Sequence, residues 1–396
     1  MFDIIKIVSV FVLILILLRK KWGVGYALLA GSAFLMILYL MRPVTIVSTF
    51  RATLTSGITL KLLLALSLIR MFEIIMREKN VLRQIMDSIR GLLKHKKSVI
   101  VSMPLLIGML PSVGGAYFSA PMVDEVTRDI DMTPEEKAFA NYWYRHPWEY
   151  ILPLYPGIIL ASVLTKVDVR TFIILNLAYA LTMIIAGNFF GLNKAHGLFK
   201  GEKRIAKKGL ISFMPIIVLL ILVIGVHIEL HYALMVIVGL LLIFYRYGLK
   251  DILKVVRYGF SKDVILLILG VMLFKETLDY SGAVKDLGGY FALMSIPVVP
   301  LVFILPFTTG ILTGITVGAV GSTFPLIVTM AGNDPHLMSF AFAAGFMGVL
   351  LSPVHVCLIL TKEYFRADMW MIYKKIIPAT AIVFVVALIE YLVVNY

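Results

Sequence analysis

Apolar runs of roughly membrane-crossing length, each closed by a short basic or turn-forming segment, fill this chain from end to end. About 20 apolar residues carry a helix across a hydrocarbon core roughly 30 Å thick. Runs of this kind lie at 4–18, 22–41, 58–76, 138–164, 169–190, 210–226, 231–245, 263–278, 337–361 and 376–393, which predicts ten transmembrane helices. Charged residues make up only 15% of the chain, and its mean hydropathy is +0.96. That is too little polar surface for a water-soluble globular enzyme. The net charge of +14 would suggest a nucleic-acid partner in a soluble protein. Here the excess sits in short loops, so it reads as a topology signal and a contact with anionic membrane lipid, with no nucleic acid expected. The lone Cys357 excludes a disulfide framework and a multi-cysteine metal site. Arg19, Lys20 and Lys21 follow the first apolar run rather than precede it, so 4–18 reads as a retained span and not as a signal peptide.

Two further runs do not fit as simple spans. Residues 98–123 are interrupted by Pro111-Ser112-Val113-Gly114-Gly115, and residues 296–330 by Thr308-Thr309-Gly310. Half of the first is about 12 residues, or roughly 18 Å of helix, too short to cross. Both are predicted to be re-entrant hairpins. With the first dipping in and returning, one side of the membrane gathers 27 Lys and Arg in its loops and the other side eight. The positive-inside rule then puts both chain termini outside the cytoplasm.

The chain also repeats itself. Pro104 to Pro111 is similar to Pro300 to Pro306, and Ala138-Phe139-Ala140 is similar to Ala341-Phe342-Ala343. The latter pair precede spans interrupted at His146-Pro147 and at Ser352-Pro353. This predicts an all-α polytopic membrane protein of two five-helix units, 1–190 and 210–396, each with one hairpin, joined by a basic cytoplasmic linker at 191–209. An odd number of crossings per unit makes the repeat inverted, as in secondary transporters. The segments Val81 to Leu93 and Leu249 to Tyr258 mix apolar and basic residues and are expected to lie on the cytoplasmic surface as amphipathic helices.

Irregular backbone at membrane depth is tolerated where it is buried in protein or lines a wet cavity. The two hairpin tips and the two interrupted spans are therefore where chemistry is expected. Ser112, Gly114 and Gly115 form the first tip, and Thr308, Thr309, Thr313 and Thr316 supply hydroxyls around the second. The fourth span holds Asn141, Arg145, His146 and Glu149. An arginine at that depth suits a substrate carboxylate, and His146 or Glu149 suits a coupling ion or proton. Its alternative is a structural Arg145 paired with Glu149, which lies one helical turn on. Ser352 and His355 are the matching polar groups of the ninth span. Arg70, Glu73, Lys275 and Glu276 close the third and eighth spans and are expected to snorkel to the interface. No P-loop or HExxH motif is present.

This plan resembles the ion transporter superfamily, which includes gluconate permeases, divalent-anion/sodium symporters, arsenite permeases and a class of sodium/proton antiporter. More narrowly, Leu110 to Pro121, Asn141 to Glu149 and Ser352-Pro353-Val354-His355 resemble an uncharacterised prokaryotic membrane family, number 401 among the domains of unknown function. The resemblance implies an ion-coupled transporter of a small organic anion that works by an elevator-like movement of the hairpin domain. The Ser-Asn-Thr signature of the sodium-coupled dicarboxylate branch is missing from both tips. The expectation is thus a permease and not an enzyme, without a cofactor, coupled to sodium or a proton. Its partners are a small anionic substrate, membrane lipid and, in a homodimer, a second copy. A sodium/proton or other cation antiporter is the alternative.

Overall fold

Helix boundaries in this chain are set by proline and by side-chain caps. Thr133 and Glu136 form a reciprocal capping box ahead of Pro134. Asp334 accepts from the Leu337 amide ahead of Pro335, and Asp168 accepts from the Arg170 amide. The computed structural model describes residues 2–93, 95–111, 115–198, 211–283 and 298–395.

The first half runs α1 (Phe2–Arg19), α2 (Val24–Leu38), α3 (Pro43–Thr55), α4 (Gly57–Glu78), α5 (Val81–Leu92), α6 (Lys96–Gly108) and α7 (Gly115–Val126). It continues through α8 (Pro134–Trp143), the single turn α9 (Trp148–Ile151), α10 (Pro156–Thr165) and α11 (Val169–Gly191). The second half holds α12 (Met214–Leu220), extended by a π-helical turn to Gly225, then α13 (Leu230–Phe244), α14 (Leu249–Gly259) and α15 (Lys262–Ser281). It ends with α16 (Val298–Thr313), α17 (Thr316–Ala331), α18 (Pro335–Leu350), α19 (Val356–Phe365) and α20 (Met369–Asn395). The described residues contain no β-strand, only the isolated bridge between His95 and Leu198.

By length and composition, three helical stretches suffice to cross a membrane: 134–165, broken in its middle, 169–191 and 369–394. Six shorter apolar helices accompany them. The outward faces are oily. On α11, Ile174, Ile185 and Phe189 are exposed while Phe172, Asn176, Tyr179 and Met183 are buried one face round. A helix apolar on both faces belongs in lipid. The two amphipathic segments are helices, as α5 and α14. Helix α14 is held to the end of α4 by Lys254 and Tyr247, both of which donate to Glu78. The hydrogen bond from the Lys254 ammonium holds the Glu78 carboxyl below the usual carboxylate range.

Three expectations need correction. Residues 43–55, left between the second and third predicted spans, form α3 and pack on α15, because Pro43 starts a helix and no glycine or second proline stops it before Ser56. The second hairpin does not break at Thr308-Thr309-Gly310. Those residues lie inside α16, and the break falls at Gly314-Ile315, where Gly314 takes φ +66°. Thr308 and Thr309 each donate a hydroxyl to a carbonyl one turn back, and Gly310 lies against the backbone of Gly345 and Gly348 on α18, so the helix continues through them. Arg70 and Glu73 do not snorkel. Glu73 is buried, the Arg70 guanidinium lies 4.4 Å from the centre of the Tyr258 ring, and both line a partly open cavity. The basic linker lies outside the described residues from 199 to 210.

Packing crosses between the halves. Helix α2 packs on α15 and α4 on α13; α10 packs on α17 and α19 on α7.

Candidate functional site

The fourth span stops at Trp143 because Pro147 has no amide hydrogen and its ring excludes the preceding helical turn. Pro153 and Pro156 delay its resumption until α10. The ninth span stops at Leu350, ahead of Pro353, and resumes at Val356. These two interruptions meet. The Nε2 atoms of His146 and His355 lie 3.1 Å apart, and both side chains are buried. Tyr142 covers the pair, with its ring centre 4.6 Å from that of His146 and 5.5 Å from that of His355, while its hydroxyl donates to the Leu350 carbonyl.

Both hairpins reach the same place. His355 Nδ1 donates to the Gly314 carbonyl at 2.7 Å, and Ser352 Oγ donates to the Ile311 carbonyl at 2.6 Å. Thr316, the first residue of α17, donates to Glu149 Oε2 at 2.8 Å, and Glu149 Oε1 lies 3.9 Å from His146 Nε2. From the first hairpin, Gly115 faces Arg145 so closely that a Cβ there would collide with its Nη1 and stand 2.6 Å from Cζ. The Arg145 side chain is buried at 3% exposure, with its guanidinium at the N-terminus of α7, where the helix presents free N–H groups and partial positive charge. Asn141 Nδ2 donates at 3.0 Å to the Ala116 carbonyl and at 3.0 Å to Thr361 Oγ1 of α19. Asn141 Oδ1 is buried and has no hydrogen-bond partner among the described residues.

Gly115, Asn141, Arg145, His146, Glu149, Thr316, Ser352 and His355 are therefore gathered into one region by contacts among four chain breaks. Ser112 and Gly114 lie outside the described residues. The hydroxyls of Thr308, Thr309 and Thr313 bond carbonyls of their own helix, and Thr313 also accepts from the Ile315 amide at the break. Arg145 and Glu149 do not pair with each other among the described ion pairs; the partner of Glu149 is Thr316. Sequence reasoning passed over Tyr142, Thr361 and Cys357. Their signal was only positional, since each lies within a few residues of a break.

Beside this region Arg70, Glu73 and Arg77 of α4 line a cavity of about 280 Å³ with Asp263 of α15. Its far wall is Pro111, Pro156 and Val317, so it reaches the edge of both hairpins. Arg77 Nη1 and Glu73 Oε1 are 3.6 Å apart across its rim.

The described residues are all-helical, with oily outward faces, buried polar breaks and three helices long and apolar enough to cross a membrane, the make-up of a helical membrane protein. The chain belongs to the family described as "Protein of unknown function (DUF401)", whose model matches residues 3–394. No curated protein matches it.

Proposed function

We propose that the protein is an ion-coupled secondary active transporter of a small organic anion. The observation that carries this reading is the buried Arg145 guanidinium at the N-terminus of α7, where four chain breaks come together. A guanidinium fork and a helix N-terminus both favour a carboxylate, and secondary transporters use broken helices in this way.

The architecture behind this reading is an inverted repeat of two units, each of five spans and one re-entrant hairpin, with both termini outside. The packing supports it. Exchanging the halves turns the pair α10–α17 into α19–α7 and the pair α2–α15 into α4–α13, and all four contacts exist. Under the same exchange the interruption at His146-Pro147 corresponds to the one at Ser352-Pro353, and the two touch through His146 and His355. The hairpins and broken spans move together as an elevator against α2, α4, α13 and α15. The coupling ion rides at His146, Glu149 and His355.

A cation antiporter of the same fold is the second reading. It is favoured by the acceptor atoms beside the histidines, including the buried Asn141 Oδ1 without a partner among the described residues. In that case Arg145 is structural.

The test is ligand-dependent thermal stabilisation of the purified protein against carboxylates, sugar acids and oxyanions, with and without sodium, since a ligand that binds the native state raises apparent stability. Arg145→Lys keeps the charge but loses the bidentate geometry, and is expected to weaken the stabilising anion at least tenfold. Arg145→Gln is expected to abolish stabilisation. Unchanged anion affinity in a folded Arg145→Gln protein overturns the assignment. Activity that follows a sodium or pH gradient with no stabilising anion replaces it with the antiporter.

A further inference from the structure

The histidine pair is held in an arrangement that two neutral imidazoles do not adopt alone. His146 Nδ1 lies 2.6 Å from the Tyr142 carbonyl oxygen, and His355 Nδ1 lies 2.7 Å from the Gly314 carbonyl oxygen. A carbonyl only accepts, so each Nδ1 carries its ring proton and each neutral ring presents a bare lone pair at Nε2. Those two Nε2 atoms face each other at 3.1 Å. Lone pairs repel at that separation unless an electrophile lies between them. Nδ1 fixed on a backbone carbonyl with Nε2 turned inward is also how proteins orient metal-bound histidine.

Cys357 completes the donor set. Its Sγ and the ligand nitrogens of His146 and His355 all lie within 4.8 Å of one another. Glu149 Oε1 stands 3.9 Å from His146 Nε2, and its other oxygen is fixed by Thr316. From these contacts we infer that His146, His355 and Cys357, with Glu149 as fourth ligand, form a binding site for a thiophilic divalent transition metal of the zinc class.

The separation of the two nitrogens fits a tetrahedral ion, and the sulfur and the Glu149 carboxylate close onto it. Two nitrogens bound at about 2.0–2.1 Å in a tetrahedron stand about 3.3 Å apart, close to the separation seen here. Closing the thiolate onto the ion at about 2.3 Å asks for a movement of roughly 1 Å. Two nitrogens, one sulfur and one carboxylate oxygen suit zinc over magnesium, calcium or sodium, which prefer oxygen alone. A thiolate and a carboxylate also neutralise a dication, so the bound site adds no net charge to the interior. The ligands come from both interrupted spans, so the ion ties the two halves together at their crossing. His146, Glu149 and His355 are also the residues given the coupling ion above, so a metal bound here replaces sodium or a proton at these three side chains. Arg145 lies outside the donor set, so the anion assignment stands or falls separately from the metal.

The experiment uses the untagged full chain in detergent, stripped with a chelator and titrated with cobalt(II) as a spectroscopic probe and with zinc. One equivalent of cobalt is expected, with the visible bands of a tetrahedral ion and a thiolate-to-cobalt charge-transfer band in the near ultraviolet. Zinc is expected to displace it and to raise the melting temperature. Cys357→Ser, checked for an unchanged elution profile and metal-free melting temperature, is expected to lose the charge-transfer band and to bind zinc at least tenfold more weakly. His355→Gln is expected to lose stoichiometric binding. Wild-type protein that takes up no cobalt or zinc overturns the site and leaves a shared proton between the histidines as the electrophile. Retention of the charge-transfer band by Cys357→Ser overturns it equally.

Discussion

The backbone of Gly115 and the guanidinium of Arg145 are packed with no space between them for a methyl group. Gly115 opens α7, so the same contact sets where that helix N-terminus points and where the arginine sits. Replacing Gly115 by Ala or Val is expected to push the guanidinium off this position. Anion-dependent stabilisation should then fall at least tenfold, and further for Val than for Ala, while the ligand-free melting temperature changes less because one residue at a helix start is strained. Binding isotherms of both variants against wild type check it. Equal anion affinity in Gly115→Val means that the anion does not use this arginine.

Gly314 is the turn of the second hairpin. Its φ of +66° lies in the left-handed region, and a Cβ there would stand 3.0 Å from the His355 amide and 3.1 Å from Ser352 Oγ. A side chain in this conformation costs about 1–2 kcal/mol before any steric clash. Gly314→Ala is expected to lower the melting temperature by several degrees, and Gly314→Val to lower it more. Both also displace the carbonyl that accepts from His355 Nδ1. Transport or ion binding should therefore fall by more than the loss of stability explains, which paired melting and binding curves on each variant will show.

Much of this arrangement was legible in the chain. Apolar run length marked the helices, and Pro147 and Pro353 marked the two interruptions, because proline acts on its own helix and needs no tertiary context. The second hairpin tip was misplaced by six residues. Thr308-Thr309-Gly310 looks like a break in composition, but each hydroxyl bonds the turn before it, and Gly310 is small because α18 crosses there. A hydroxyl and a glycine have two uses each, and only the neighbouring helix decides between them. Cys357 carried no signal beyond its nearness to the break at Pro353. Its meaning comes from His146, more than two hundred positions away in sequence, and no local pattern encodes that distance.

Asn141 bridges the halves of the chain, donating to Ala116 of the first hairpin and to Thr361 of α19. Hydrogen bonds between membrane helices are worth about 0.6 kcal/mol on average and about 1.7 kcal/mol at most. Asn141→Ala is thus expected to fold, with a melting temperature reduced by only a few degrees. Thr361→Val should cost less, since it removes only one of the two bonds that Asn141→Ala removes, and the double variant should be less than additive. Full additivity in this cycle would show that the two side chains do not communicate.

Topology can be settled by labelling, because the charge split makes an unambiguous demand. Asn80, between α4 and α5, and Lys194, after α11, both lie exposed in loops of the basic side. Arg42, exposed ahead of α3, is assigned to the other side by the same charge split. The segment from α6 to α7 separates Asn80 from Lys194. If it dips in and returns, the remaining crossings between them are the broken fourth span and α11, an even number, and the two loops share a face. If it crosses, they lie on opposite faces and the basic loops are divided. In a Cys357→Ser background, Asn80→Cys and Lys194→Cys are expected to react with a membrane-impermeant thiol reagent only from the cytoplasmic side, and Arg42→Cys only from the outside. Each should react from both sides once the membrane is permeabilised, which controls for local burial. Labelling of Asn80→Cys and Lys194→Cys from opposite sides removes the re-entrant first hairpin. The inverted repeat goes with it, since five crossings plus a crossing hairpin make six, an even number that no longer gives the two halves opposite orientations.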